Sequence, residues 1–193
     1  MNIFYLDNNT KTCAMYHNDK HCIKMILEYA QLLSTAHRVL DGTLRVIVSN
    51  SNRKKQVWSL PDNRDGILYS ATHINHPSAI WCRKSTANYL WLYNLLTDLC
   101  KEYTYRYGKR HKVESSGLLE SLYYTPANIA FGGFTEPTPA MPDDVKVAGD
   151  SLKSYRNYYY TNKKHLWSWK GKINSRERPT WLNEMINELE MEY

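Results

Sequence analysis

Seven polar residues, His17, His21, Lys24, Glu28, Gln31, Thr35 and Arg38, follow one another at spacings of 4, 3, 4, 3, 4 and 3. Those steps put side chains on one side of a helix. A solvated face is the plain alternative, but such faces are usually built from Lys and Glu. This one mixes in two His, Gln and Thr, which have no merit as solvated helix formers. One carboxylate, Glu28, stands among cations, where it can act as a general base or stabilise a cationic transition state. Lys20 and Lys24 lie close to it in sequence, and burial or a neighbouring cation would turn either amine into a nucleophile.

His17 and His21 also have the i, i+4 spacing by which two imidazoles grip a metal ion, with Glu28, Asp7, His73 or His76 available as further ligands. HExxH is absent, however, and Lys20 lies between the two histidines, where it would repel a cation. No metal and no cofactor are expected. The chain has no Gly-rich phosphate loop, GxSxG elbow or GxGxxG fingerprint, which disfavours a kinase, an α/β hydrolase or a Rossmann enzyme.

The elements that must position these groups read as mainly α. Ile23, Ile26, Leu27, Ala30, Leu33 and Leu40 recur at helical steps and predict one helix over residues 12–40, stopped by Gly42. Asn75-His76-Pro77 marks a second helix start, and Ile80, Ala87, Trp91, Leu95, Leu99 and Tyr103 carry that helix to Tyr107 and its stop at Gly108. These two long helices are expected to pack as the core. Between them, 44–48 and 56–60 can pair as a small β-hairpin around the polar stretch 49–55, within an otherwise irregular segment 43–72. Four prolines and Gly132-Gly133 make 124–142 an ordered loop without regular structure, which Ile129, Phe131, Phe134 and Met141 should pin to the body. Further helices are expected over 151–170 and from 179 or 180 to 189. The expectation is a compact single-domain helical bundle over residues 1–193.

Composition bounds the partners. At 193 residues, 42% hydrophobic and 23% charged, the chain has the balance of one globular domain, with apolar runs too short to span a membrane. The start, with Asp7 following six residues, offers no signal peptide, so a cytoplasmic location is expected. Cys13, Cys22, Cys82 and Cys100 form no CxxC pair and read as free buried thiols. The net charge of +6 is uneven, basic over 153–178 and acidic over 184–192. With 16 Tyr and 6 Trp available to stack bases, DNA or a nucleotide is the expected partner. Lys153, Arg156, Lys163 and Lys164 are the candidate phosphate contacts.

Asp19-Lys20-His21, with Glu28 seven residues after the histidine, resembles the first helix of the phage pyrimidine-dimer DNA glycosylases of the endonuclease V type. In that family an Asp-Gln-His triplet stands at the same distance from a catalytic glutamate. Asn75-His76-Pro77 opening a second helix, its close near Tyr107-Gly108, and Arg178-Pro179-Thr180-Trp181 point the same way. The resemblance covers about half the chain in patches. It implies a compact helical fold and a substrate of damaged duplex DNA, with cleavage of the N-glycosidic bond followed by a lyase step. By that likeness Glu28 would stabilise charge on the sugar, and His21 would hold a phosphate or orient the carboxylate. Lys24, His17, Gln31, Lys20, Arg38 and His76 would surround them, while the basic 153–178 segment and Trp181 would meet backbone and bases.

The departures bear on the lyase step. The family attacks with the amine of a threonine exposed by loss of the initiator Met, but Asn2 is too large for efficient Met1 removal. Two arginines flanking the family's glutamate correspond to Leu27 and Gln31. The leading expectation is an N-glycosylase acting on DNA bases, encoded by a phage. The alternatives are a non-catalytic nucleic-acid or nucleotide-binding accessory protein and a metal-dependent nucleotide hydrolase.

Overall fold

A computed structural model describes residues 1–48 and 52–191, and in it the polar stripe is divided between two helices. α1 (Thr10–Tyr16) ends at His17, and α2 (Asp19–Asp41) starts afresh where the Asn18 side chain accepts from the His21 amide. An N-cap satisfies an amide that a helix start leaves open, so a break costs little where Asn stands. The single helix expected over 12–40 is corrected accordingly.

α2 is hemmed in on most sides. Met25, Ile26, Tyr29, Ala30, Leu32, Leu33 and Ala36 are buried, and so are His21, Thr35 and Arg38 from the polar stripe. Its open strip is Lys20, Ile23, Lys24 and Leu27, with Glu28 and Gln31 half-buried along the border. The expected ligand-facing surface is thus rotated, and most of the seven polar residues face inward. Ile23 and Leu27, expected in the core, are exposed.

Past Gly42 the hairpin forms as expected: β1 (Thr43–Val48) pairs antiparallel with β2 (Lys54–Ser59), Thr43 opposite Ser59 and Val48 opposite Lys54. The first part of the polar turn, 49–51, lies outside the described residues. A short α3 (Arg64–Ile67) follows within the segment read as irregular.

The second long helix is also two. His76, rather than Asn75, caps α4 (Pro77–Cys82), and Ser85 caps α5 (Thr86–Tyr107), which Gly108 closes in the left-handed conformation at φ 66°. α2 packs against α4 and α5, and α1 against α5. Two short turns, α6 (Lys112–Ser115) and α7 (Leu118–Ser121), precede the Pro/Gly loop. That loop has no helix or strand between residues 124 and 142 and is held by backbone bonds from Thr86 and Ala87 to Ala130 and Gly132. Met141 is buried and Ile129 packs on the core, but Phe131 is 97% exposed, against expectation.

α8 (Ser151–Asn162) stops well short of residue 170, and α9 (Thr180–Glu190) lies where expected. A 3-10 turn over Lys164–Leu166 follows α8, and amides beyond that turn have partners outside any helix of their own. Lys170 and Gly171 donate their N–H groups to the Asp19 carboxylate, and Lys172 and Ile173 donate to the Arg106 carbonyl.

The core holds one part that helical periodicity could not announce, the extended run Ile3, Phe4, Tyr5 and Leu6, all buried. Phe4 packs against Tyr155 and Tyr159 of α8, Tyr5 packs edge-on to Trp91 of α5, and the Leu6 carbonyl accepts from Arg156. The four cysteines are free and buried, and burial pushes the thiols of Cys13, Cys22 and Cys100 up to about 12.

Arg106 is wholly buried at the meeting point of these elements. Its Nε donates to Glu102 at 2.7 Å, one terminal nitrogen to the His17 carbonyl and to Asp19, and the other to the Met15 carbonyl at 2.8 Å. Burial alone would raise the Glu102 carboxyl, but hydrogen bonds from Arg176 and Arg106 hold it below the usual carboxylate range. Removing one partner strands a buried charge, at about 3–5 kcal/mol. Arg106→Ala should therefore lower the melting temperature by roughly 10 °C or more in a circular-dichroism melt. Arg110→Ala, which breaks only the exposed pair with Glu114, should change it by about 2 °C or less.

Candidate functional site

Glu28 is the one carboxylate of the polar stripe and lies, with Lys24 and Gln31, where the stripe reaches the surface. Its side chain is 15% exposed, and each carboxylate oxygen faces an amine: Oε1 lies 3.1 Å from Lys24 Nζ and Oε2 lies 4.0 Å from the Met1 α-amine. The exposed Leu27 and Ile23 follow on the same helix and lend the open strip an apolar border. His76 is a further neighbour in the field of this group. Burial first, then the charges of the N-terminus and His73, hold its imidazole below the ordinary range, against the opposing pull of Glu28. Its Nδ1 accepts from the Ser78 amide at 3.1 Å, so the neutral ring carries its proton on Nε2. One residue after the amine, the side-chain oxygen Oδ1 of Asn2 is buried without a partner among the described residues.

The α-amine is carried to Glu28 by the residues that follow it. The Phe4 amide donates to the Tyr29 hydroxyl, one position beyond Glu28, and that hydroxyl lies 2.8 Å from His17 Nε2. His17 Nδ1 faces the Cys13 carbonyl at 2.7 Å, which can only accept, so Nδ1 bears the proton and Tyr29 donates to Nε2. His21 stacks on the Phe4 ring at 4.1 Å between centroids and takes the Tyr159 hydroxyl on Nδ1 at 2.7 Å. Both histidines of the stripe thus brace the N-terminal segment from inside. The phosphate-holding role expected for His21, and the substrate contact expected for His17, give way to this one, because neither ring is open to a ligand.

Asp19, the first residue of the family-like triplet, likewise turns inward and accepts from Arg106, Ser168, Lys170 and Gly171. The metal reading does not assemble either: among the described residues no group of three or more His, Cys, Asp or Glu side chains is placed to hold an ion.

Of the remaining candidates, Lys20 lies exposed on the open strip and Gln31 half-buried on its border. Arg38 is corrected from ligand contact to internal clamp. Its guanidinium donates to the carbonyls of Trp58, Asp65, Leu68 and Tyr69 and to the Asp65 carboxylate. Lys153, Arg156 and Trp181 do come together, lining a cleft of about 470 Å³ between α8 and α9 with Asn157, Met185 and Glu188. Arg156 lies over the Trp181 ring at 5.2 Å, and the Trp181 indole N–H is buried without a partner among the described residues. Lys163 and Lys164 stand apart from that cleft, over the rings of Tyr158 and Trp167.

Retention of Met1 counts against the family's N-terminal amine at the level of sequence, which does not anticipate that the Met1 amine lies 4.0 Å from Glu28. The signal available for it was the apolar run at positions 3–6, whose burial brings the residues before it close to the core. No family model matches the chain, and neither a curated protein nor a solved structure does. No helix among the described residues is long and apolar enough to cross a membrane.

Burial lowers the imidazole of His17 to about 4 and that of His21 to about 2. An unfolded chain titrates its histidines near 6.5, so between that pH and about 4 it binds protons that the native state refuses, and acid favours unfolding. Moving the His17 equilibrium from 6.5 to about 4 corresponds to about 3 kcal/mol. The melting temperature should therefore fall steadily as pH is lowered from 7 to 4. A level profile over that window would contradict the buried neutral rings.

Proposed function

We propose that this chain is an N-glycosylase acting on bases in DNA, with Glu28 as the carboxylate that stabilises the positive charge building on the sugar as the base departs. The observation that carries the reading is the meeting of that carboxylate with amines on both oxygens at the edge of the open strip of α2. A preorganised charge aimed at a developing one is among the largest single contributions to catalysis, and it acts most strongly where water is partly excluded. A half-buried carboxylate meets that requirement.

In a chain that starts at Met1, the α-amine 4.0 Å from Glu28 is the group we assign as nucleophile, although the residue is Met rather than the Thr of the family that the chain resembles. Once the ammonium has given a proton to water, the neutral amine adds at C1′ and displaces the base, which leaves with the proton shed by the attacking nitrogen. The sugar–amine adduct opens to an iminium, and loss of a C2′ proton then expels the 3′ phosphate and nicks the strand. Lys24 holds the far oxygen of Glu28, and His76, within the field of that carboxylate, carries an N–H donor. The exposed Leu27 and Ile23 supply apolar surface against which a base can pack.

The test is incubation with ultraviolet-irradiated and undamaged duplex DNA, reading base release and strand nicking separately. Release from the irradiated DNA is expected, and Glu28→Gln should slow it by about 10²–10³-fold. Extending the N-terminus by two residues should remove nicking, because it replaces the amine beside Glu28 with a peptide. Absence of base release by the wild-type chain from either DNA would overturn the proposal.

A further inference from the structure

The hairpin of β1 and β2 makes a poor part of a fold and a good arm. All six residues of β1 are exposed, among them Leu44, Val46, Ile47 and Val48, and β2 is exposed over residues 54–56. The register places Leu44, Val46 and Val48 on one face with Trp58, Gln56 and Lys54, and Arg45 and Ile47 on the other with Val57 and Lys55. A two-stranded ribbon left to itself is marginal in water, and apolar residues on both faces call for an occupant.

Its root, by contrast, is fixed. Buried Arg38 grips the Trp58 carbonyl at 2.8 Å and Asp65 at 2.7 Å, and the Asp65 carboxylate takes the Leu60 amide at 2.8 Å.

Charge identifies the occupant. From Gly42 through Pro61 the chain holds four cations, Arg45, Arg53, Lys54 and Lys55, and no carboxylate. A second copy of the same arm would bring like charges together, and lysines along a strand edge oppose edge pairing. We infer that this hairpin is a DNA-binding ribbon, laid into a groove of the same duplex whose base meets Glu28.

The dimensions agree. A two-stranded ribbon fits the major groove, and six-residue strands reach about 20 Å. The 14 helical positions from Glu28 to Gly42 span about 21 Å, or about six base-pair steps of duplex. The inference rests on DNA as the substrate, and its test separates the two.

Full-length wild type and the triple variant Arg45→Ala, Lys54→Ala, Lys55→Ala would be titrated against an undamaged duplex of about 24 base pairs by fluorescence anisotropy. Salt would run from about 50 to 200 mM, with base release from irradiated DNA measured in parallel. Each lost phosphate contact removes about 0.9 from the slope of log affinity against log salt, so three remove between two and three. Over that fourfold salt range the advantage of the wild type should shrink by about 40-fold. The exchange Arg45→Lys, Lys54→Arg, Lys55→Arg should keep affinity and slope. If the wild type binds and releases bases while the triple variant matches its affinity and slope, the arm is not a DNA contact and the glycosylase reading stands. A wild type that binds no duplex sinks both. Self-association in ultracentrifugation that Leu44→Ser with Val46→Ser abolishes would overturn the inference in favour of a second copy.

Discussion

The structure depends on one buried guanidinium. Arg106 sits in the interior with hydrogen bonds to Glu102, Asp19 and the carbonyls of Met15 and His17. Those carbonyls belong to the end of α1, where a finished helix leaves acceptors without intrahelical donors. One side chain of α5 thereby closes α1, ties down the start of α2 through Asp19, and shares Glu102 with Arg176. The interrupted helix is therefore a stable joint, and the joint directs His17 and His21 toward the N-terminal segment.

That joint sets the character of the site. The stripe of seven polar residues is largely an internal scaffold, and only Lys24, Glu28 and Gln31 remain on the side that meets solvent. Burial keeps the two histidines neutral, so their rings accept and donate in fixed directions, and the chain of bonds from Phe4 through Tyr29 to Cys13 has a single arrangement. The N-terminus is aimed by packing and hydrogen bonding, which a loop could not match in constancy of position.

How much of this was legible in the sequence follows the range of the interactions concerned. Hairpin pairing, the left-handed stop at Gly108, the loop without regular structure and the start of α9 are set by neighbouring residues, and local patterns reveal them. The breaks at Asn18 and Ser85 were missed because helical spacing continues across both, polar from His17 to His21 and apolar from Ile80 to Ala87, while the caps that cause them are single residues. Glu28 was legible as a carboxylate among cations. The burial of His17, His21 and Arg38 was not, because periodicity says which side chains share a face and is silent on what that face meets. Their partners, Tyr159 for His21 and the hairpin and Asp65 for Arg38, come from distant or irregular segments. Phe131 failed in the opposite sense, since a hydrophobic side chain in a loop carries no local sign of whether anything covers it.

The buried N-terminal strand also fixes an order of events. The Leu6 carbonyl closes on Arg156, 150 positions later, and Phe4 closes on Tyr155 and Tyr159. A ribosome adding roughly 5–20 residues per second needs about 8–30 s to cover that distance. Residues 4 and 6 thus find their places only after residues 155 to 159 have been made, and until then Glu28 lacks the support of the segment that packs beside it. The surface around Glu28 is therefore assembled late in synthesis, after the helix that braces residues 4 and 6 has emerged.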